Sequence, residues 1–232
     1  MKNTNSRRDF LKKATTCSAV LMFGGILPGF SAESYRRIMG ANEKIRASVM
    51  GVNSRGNALA QNFAYQKECD VIHICDVDSR VIEKCISSVQ KIQESKPQGF
   101  GDFRKSLENK DVDLMVIATP DHWHAPAALL ALQAGKHVYL EKPCSHNPYE
   151  GEMLVKAAAR YKKSIQMGNQ RRSWPNVIQA INDLKGGVIG CPYFGKGWYT
   201  NNRESIGIGK EVPVPEGLNW DLWQGPAPRK TY

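Results

Sequence analysis

The feature that most limits how this chain can fold is a regular alternation of short apolar runs with longer segments of helical periodicity. The clearest apolar run is Leu114–Ala118, which has no polar interruption and is typical of a strand buried on both faces of a parallel sheet. Strands that alternate with helices in this way predict a doubly wound parallel α/β sheet, with ligands at the carboxyl ends of the strands. The predicted strands cover residues 45–49, 71–75, 114–118, 137–140 and 164–167, and helices are predicted after the first four of them.

The pattern changes after about Gly168. One further helix is predicted over residues 174–185, and a strand with aromatic side chains is predicted through residues 193–199. The remainder is rich in Gly and Pro. The sequence therefore predicts a sheet domain over residues 44–167 and the start of a second domain over residues 168–232.

A glycine-bounded turn joins the first predicted strand to the first predicted helix. A dinucleotide site needs such a turn, a helix N-terminus aimed at the pyrophosphate, and an acidic residue about 20 positions further on. Asp76 stands at that distance from Gly56, at the end of the second strand. The candidate cofactor residues here are Gly51, Asn53, Ser54, Arg55, Gly56 and Asp76.

The turn departs from the usual fingerprint at Asn53, where a glycine is expected. Asn tolerates left-handed backbone better than most residues, so we expect the turn to persist with a shifted phosphate. Asp76 would accept a hydrogen bond from a ribose 2′-hydroxyl and repel a 2′-phosphate, which favours NAD over NADP. Arg80 lies close enough in sequence to leave NADP open.

The N-terminus carries the sequence SRRDFLK at residues 6–12, followed by a short, weakly apolar stretch. This is typical of a twin-arginine (Tat) export signal, here residues 1–32, with cleavage after Ser31 or Ala32. A polar linker is predicted over residues 33–43. The Tat machinery is thus a predicted partner and the periplasm the predicted location.

The net charge of +10 invites a nucleic-acid function, but residues 1–32 hold five basic residues and one acidic residue, so the remainder carries +6. Those charges are scattered and form no basic stripe with interleaved aromatics, so nucleic-acid binding is not predicted. No metal site is predicted either, because His122 and His124 lack a third ligand nearby and the six cysteines show no metal-binding spacing.

The segment from Thr119 to Pro143, TPDHWHAPAALLALQAGKHVYLEKP, resembles the Gfo/Idh/MocA family, named for glucose–fructose oxidoreductase and inositol dehydrogenase. The resemblance covers about residues 42–232 and is closest to exported members. It implies a Rossmann cofactor domain, followed by an α+β substrate domain with an antiparallel sheet. It further implies an oxidoreductase that transfers hydride between a sugar or cyclitol hydroxyl and a tightly bound NAD or NADP, in a homo-oligomer.

The resemblance also assigns residues to roles. It places Lys142 at the nicotinamide ribose and the substrate hydroxyl, as a catalytic residue, with Glu141 shaping the site. Thr119, Pro120 and His124 map near the cofactor, and His124 is the second catalytic candidate. His122 is assigned to the cofactor rim. The candidate substrate residues are Trp123, Gln170, Arg171 and Arg172.

Three functions remain open at this stage. The first is an exported dehydrogenase, and the second is an NAD-dependent glycosidase that oxidises a hydroxyl transiently, eliminates the aglycone and reduces the sugar again. The third is a non-catalytic protein that kept the cofactor domain. Because family members run well past this length, we expect a truncated chain that binds cofactor with weak or no turnover. The segment from Trp220 to Pro226 resembles a motif of exported members and has no assigned role.

Overall fold

Six parallel strands form one sheet in the computed structural model, which describes residues 44–198, 204–205 and 207–232. The strand order is β3-β2-β1-β4-β5-β6, so the order reverses between β1 and β4. The strands are β1 (Ile45–Met50), β2 (Cys69–Cys75), β3 (Gln98–Phe100), β4 (Leu114–Ile117), β5 (His137–Glu141) and β6 (Ile165–Gly168). The helices are α1 (Arg55–Ala64), α2 (Ser79–Gln90), α3 (Phe103–Glu108), α4 (His124–Gln133), α5 (Pro148–Tyr161), α6 (Pro175–Lys185) and α7 (Trp220–Gln224).

Helices cover both faces of the sheet. The central strands carry apolar side chains on both faces, and these side chains are buried against the helices. On one face α1 and α2 bury Leu59 and Ile86 against strand residues such as Val71. On the other face α4 and α5 bury Leu132 and Leu154 against strand residues of β4 and β5. The predicted doubly wound Rossmann sheet is therefore confirmed, and its topology puts every strand's carboxyl end at one edge.

The strands and helices predicted for residues 44–167 are present, with ends that move by one or two residues. Asp78 caps α2, since its side chain accepts a hydrogen bond from the Arg80 backbone N–H. The sequence prediction missed β3 and α3. β3 has three largely exposed residues and no apolar alternation, so only its pairing with β2 identifies it.

The predicted aromatic strand is wrong for the part of it that the structure describes, residues 193–198, which form neither strand nor bridge. Tyr193 is 99% exposed there. A strand is stable only when its backbone pairs with another strand, and the described residues offer this segment no partner. Apolar side chains of α6, among them Ile178 and Ile181, are likewise exposed.

The predicted export signal and linker, residues 1–43, lie outside the described residues, and so does Tyr199. In the part of the chain that is described, no helix is long and apolar enough to span a membrane.

Candidate cofactor site

A cavity of about 710 Å³ lies at the carboxyl ends of β1, β2 and β4, where the strand order reverses. This is the position at which sheets of this topology bind their ligands. Its walls bring together most of the residues that the sequence singled out for the cofactor, but not Gly56, His122, Glu141 or Lys142. From the candidate list the cavity is lined by Gly51, Asn53, Ser54, Arg55, Asp76, Thr119, Pro120 and Trp123.

The turn after β1 is tight because its glycines leave no room for a side chain. Gly51 has φ +82°, and a Cβ atom placed there would lie 2.7 Å from the Thr119 backbone nitrogen. A Cβ atom on Gly56 would lie 2.0 Å from the Gly51 carbonyl oxygen. The two glycines therefore let the start of α1 pack against the ends of β1 and β4.

Asn53 lies in the cavity wall, but it does not adopt the left-handed backbone conformation that the sequence suggested. Among the described residues the one non-glycine with positive φ is Lys162, at the end of α5. The left-handed conformation of the turn is supplied by Gly51 instead. The turn thus forms with Asn53 in ordinary backbone geometry, and Asn53 lines the cavity.

The Asp76 carboxylate links the end of β2 to this turn. Oδ2 accepts a hydrogen bond from the Val52 backbone nitrogen at 2.7 Å, and Oδ1 accepts one from the Asp78 nitrogen at 3.0 Å. Burial raises the pKa of Asp76 from its ordinary value, because a charged carboxylate is costly to desolvate, although the backbone donors oppose the effect. Each oxygen keeps a second lone pair for a ribose hydroxyl.

The Arg80 guanidinium already has a carboxylate partner. Nε and Nη2 of Arg80 donate to Asp78 at 2.8 and 2.7 Å, a bidentate pair that lowers the pKa of Asp78. A 2′-phosphate would therefore meet the charge of Asp76 beside an arginine that is already paired. The cofactor that this cavity suits is NAD.

Replacing Asp76 with Asn is expected to weaken NAD binding about tenfold. The NH2 group of Asn would replace one of the two oxygens that accept hydrogen bonds from backbone N–H groups, and it can only donate. Because the pKa of Asp76 is raised, wild-type affinity should begin to fall on acidification at a higher pH than an ordinary aspartate would give, and the Asn variant should lose that dependence. Binding of NAD and NADP measured across pH checks both points. Asp111→Asn, at an exposed position, is the control. Tighter binding of NADP than NAD by the wild type would contradict the assignment.

Thr119 provides an independent test of whether the cavity fits a dinucleotide. Thr119 lines the cavity, and its Oγ1 is buried and has no hydrogen-bond partner among the described residues. An unsatisfied buried hydroxyl costs about 1–3 kcal/mol, so it favours a bound polar ligand. The hydroxyl, phosphate and amide groups of NAD are partners of the kind required, and the residues present fit the group.

An ion pair joins the glycine turn after β1 to the EKP segment, which is Glu141-Lys142-Pro143. Arg55 Nε donates to Glu141 Oε1 at 2.8 Å, and the Glu141 side chain is only 5% exposed. Lys142 follows directly at the end of β5, with its side chain exposed and outside the cavity wall. Glu141 therefore anchors the glycine turn through Arg55, and it directly precedes Lys142 in the chain.

His124 is buried at the start of α4, 1% exposed, between two loops of the site. Its Nε2 contacts the Thr119 carbonyl oxygen at 2.8 Å, and its Nδ1 contacts the Pro143 carbonyl oxygen. Both partners are acceptors, so a neutral imidazole can donate to only one of them at a time. The ring links the TP loop to the EKP loop, and its catalytic role stays a prediction.

The other predicted residues are placed in two groups. His122 and Trp123 contact a distant segment, residues 217–225, which we call the strap. Gln170, Arg171 and Arg172 lie in an exposed 3-10 turn after β6 and do not line the cavity. Their predicted contact with substrate stays a prediction.

The strap is the part of the site that sequence reasoning missed. Leu218, Trp220, Leu222 and Trp223 line the same cavity as the glycine turn. The only signal in the sequence was the pair of tryptophans that had no assigned role.

The comparisons with known proteins agree with this geometry. Residues 45–169 match the model of an oxidoreductase family with an NAD-binding Rossmann fold. A scyllo-inositol dehydrogenase of Lactobacillus casei, solved with bound NAD(H) and scyllo-inositol, has the same fold with a TM-score of 0.58 at 23% identity, covering 64% of this chain and 43% of that one.

Two similar curated proteins carry a different name. Glycosyl hydrolase family 109 protein 1 of Shewanella sp. strain ANA-3 is 27% identical over 208 residues, covering 83% of this chain and 45% of the relative. Glycosyl hydrolase family 109 protein of Saccharopolyspora erythraea is 28% identical over 243 residues, covering 95% of this chain and 53% of the relative. The chain spans about half the length of these relatives.

Proposed function

The chain belongs to the Gfo/Idh/MocA oxidoreductase family, which has an NAD-binding Rossmann fold, and on that premise we propose that the protein is an enzyme that oxidises a hydroxyl of a sugar or cyclitol. The observation that carries the proposal is the cavity at the strand-order reversal, which is lined by Thr119, whose hydroxyl has no partner among the described residues. When bound there, NAD supplies the hydride acceptor.

The chain's own residues prepare that site. Lys142 projects beyond β5, next to the β4 end that forms the cavity wall, and its ammonium would stabilise negative charge developing on a reacting hydroxyl oxygen. Glu141 is held by Arg55, and the His124 ring lies between the Thr119 and Pro143 carbonyls and donates a hydrogen bond to one of them. These buried contacts hold the two loops in one arrangement. Catalysis depends on such fixed positions, because a small displacement of a catalytic group lowers the rate strongly.

A second candidate function is favoured by the names of the relatives. The curated relatives described above are glycosyl hydrolases of family 109, and they align with most of this chain. A glycosidase of this family type would oxidise a sugar hydroxyl transiently, eliminate the aglycone, add water across the resulting double bond and reduce the sugar again, so that NAD is not consumed. The same cavity and the same Lys142 would serve both reactions.

Product analysis distinguishes the two functions. The full-length protein would be incubated with aryl glycosides, including an α-N-acetylgalactosaminide, and with free sugars and inositols, each with and without added NAD. A dehydrogenase should produce NADH in proportion to the free sugar or inositol oxidised. Release of the aryl group without net NADH would assign the glycosidase. Bound NAD with no turnover of either class would contradict both.

We also propose that the protein is exported by the Tat pathway, on the strength of SRRDFLK at residues 6–12. The pathway carries folded proteins, which suits an enzyme loaded with its cofactor before export. Cell fractionation tests this, and a purely cytoplasmic protein would overturn it.

A further inference from the structure

The strap is anchored to the end of β2 by main-chain hydrogen bonds. The Ser79 nitrogen donates to the Gly217 carbonyl oxygen at 2.9 Å, and the Asn219 nitrogen donates to the Val77 carbonyl oxygen at 2.9 Å. Leu218 thereby forms an antiparallel bridge with Asp78. The strap thus begins beside Asp76, the residue that faces the adenosine ribose in this type of site.

Side chains of the 3-10 turn after β4 hold the other end of the strap. Trp123 Nε1 donates to the carbonyl oxygens of Leu222 and Trp223, at 2.9 and 3.1 Å, and His122 Nε2 donates to the Trp223 oxygen at 2.8 Å. Helix α7 has only five residues, so its last carbonyls have no partner within the helix. The indole and imidazole donors satisfy them.

The contact is close as well as polar. A Cβ atom on Gly225 would lie 2.2 Å from the Trp123 ring, so the strap backbone packs directly against that indole. Gly225 also has φ +53°, which a side chain would disfavour. The strap is therefore held at both ends.

Between these anchors the strap presents aromatic rings to the cavity. Trp220 and Trp223 stack with ring centroids 4.6 Å apart and an angle of 21° between their planes. Both line the cavity together with the ribose carboxylate Asp76 after β2, Arg80 at the start of α2 and Gly101 after β3. Base rings stack on tryptophan, and each such stack contributes appreciably to nucleotide affinity.

We propose that the strap is part of the NAD site, with Trp220 and Trp223 forming an aromatic wall of the adenosine pocket and the strap slowing release of the cofactor. The inference rests on NAD binding by the family fold and not on the substrate proposed above, so it stands whether the enzyme is a dehydrogenase or a glycosidase. It gives the Trp220–Pro226 segment a function and makes His122 and Trp123 positioning residues for the strap.

The test measures binding and release without any substrate. NADH release is followed by stopped-flow energy transfer from tryptophan to NADH, and affinities for NAD, ADP-ribose and nicotinamide mononucleotide are measured by calorimetry. Trp220→Ala is expected to release NADH about ten to a hundred times faster. It should weaken NAD and ADP-ribose alike and leave nicotinamide mononucleotide unchanged. Trp220→Phe should restore most of the affinity, because a ring remains to stack.

Gly225→Ala tests the anchoring separately, since it removes no cavity side chain. It should speed NADH release to a similar extent, whereas Gly209→Ala, where a Cβ atom meets nothing within 4 Å, should not. Thermal unfolding identifies a variant that fails to fold, in which case the comparison of Trp220→Ala with Trp220→Phe decides. Unchanged NADH release and ADP-ribose affinity in folded Trp220→Ala would overturn the proposal.

Discussion

Replacing Gly56 with Ala should abolish measurable NAD binding and destabilise the domain. The added Cβ atom would lie 2.0 Å from the Gly51 carbonyl oxygen and 2.8 Å from the Gly51 carbonyl carbon. Gly51 cannot easily retreat, because its nitrogen donates to the Cys75 carbonyl oxygen at 2.9 Å and it packs against Thr119. Helix α1 must therefore move away from the turn, and overpacking of this kind costs about 1–3 kcal/mol of the free energy of unfolding.

The loss of binding should be larger than the loss of stability. The helix N-terminus and the turn amides would face a bound pyrophosphate only when α1 is in place, since their interaction with an anion falls off within one helical turn. We expect NAD affinity to fall at least about a hundredfold, or about 2.7 kcal/mol. Calorimetry of NAD binding and thermal unfolding measure the two effects.

The matched control is Gly101→Ala. Gly101 also lines the cavity, but a Cβ atom there meets nothing within 4 Å. Its melting temperature should match the wild type. An NAD affinity of Gly56→Ala within twofold of the wild type would show that the turn does not hold the cofactor.

Replacing Lys142 with Ala should remove turnover and leave the bound cofactor in place. The side chain is exposed and lies outside the cavity wall, so neither the core nor the NAD site loses a contact. If its ammonium stabilises charge on the reacting oxygen, kcat should fall about 10²–10⁴-fold. The measurement is kcat of the full-length protein with the substrate class that product analysis identifies, beside the NAD content of the purified variant.

Lys156→Ala is the control for the loss of one lysine. Lys156 lies on α5 in an exposed ion pair with Glu152, which contributes little to stability. Its kcat should equal that of the wild type. Lys142→Arg, which keeps the charge in another shape, should recover little activity. A Lys142→Ala enzyme with unchanged kcat would remove this residue from the mechanism.

Much of the cofactor site could be predicted because its parts are encoded in short contiguous segments. Gly51, Gly56 and Asp76 follow from one turn and one spacing, and Leu114–Ala118 identifies a central strand from its composition alone. β3 could not be predicted, because its three residues become a strand only by pairing with β2. The aromatic strand predicted through Tyr193 is wrong for a related reason, because residues 193–198 have the composition of a strand but find no strand to pair with among the described residues.

The sequence by itself determined the alternating architecture, the glycine turn and the ribose carboxylate, since periodicity and spacing act over neighbouring residues. Only the tertiary structure decided what surrounds them. It joined Arg55 to Glu141 across 86 positions and brought the strap carbonyls to His122 and Trp123 across about 100. Contacts at such separations depend on how the strands order in the sheet, and no local pattern records that order.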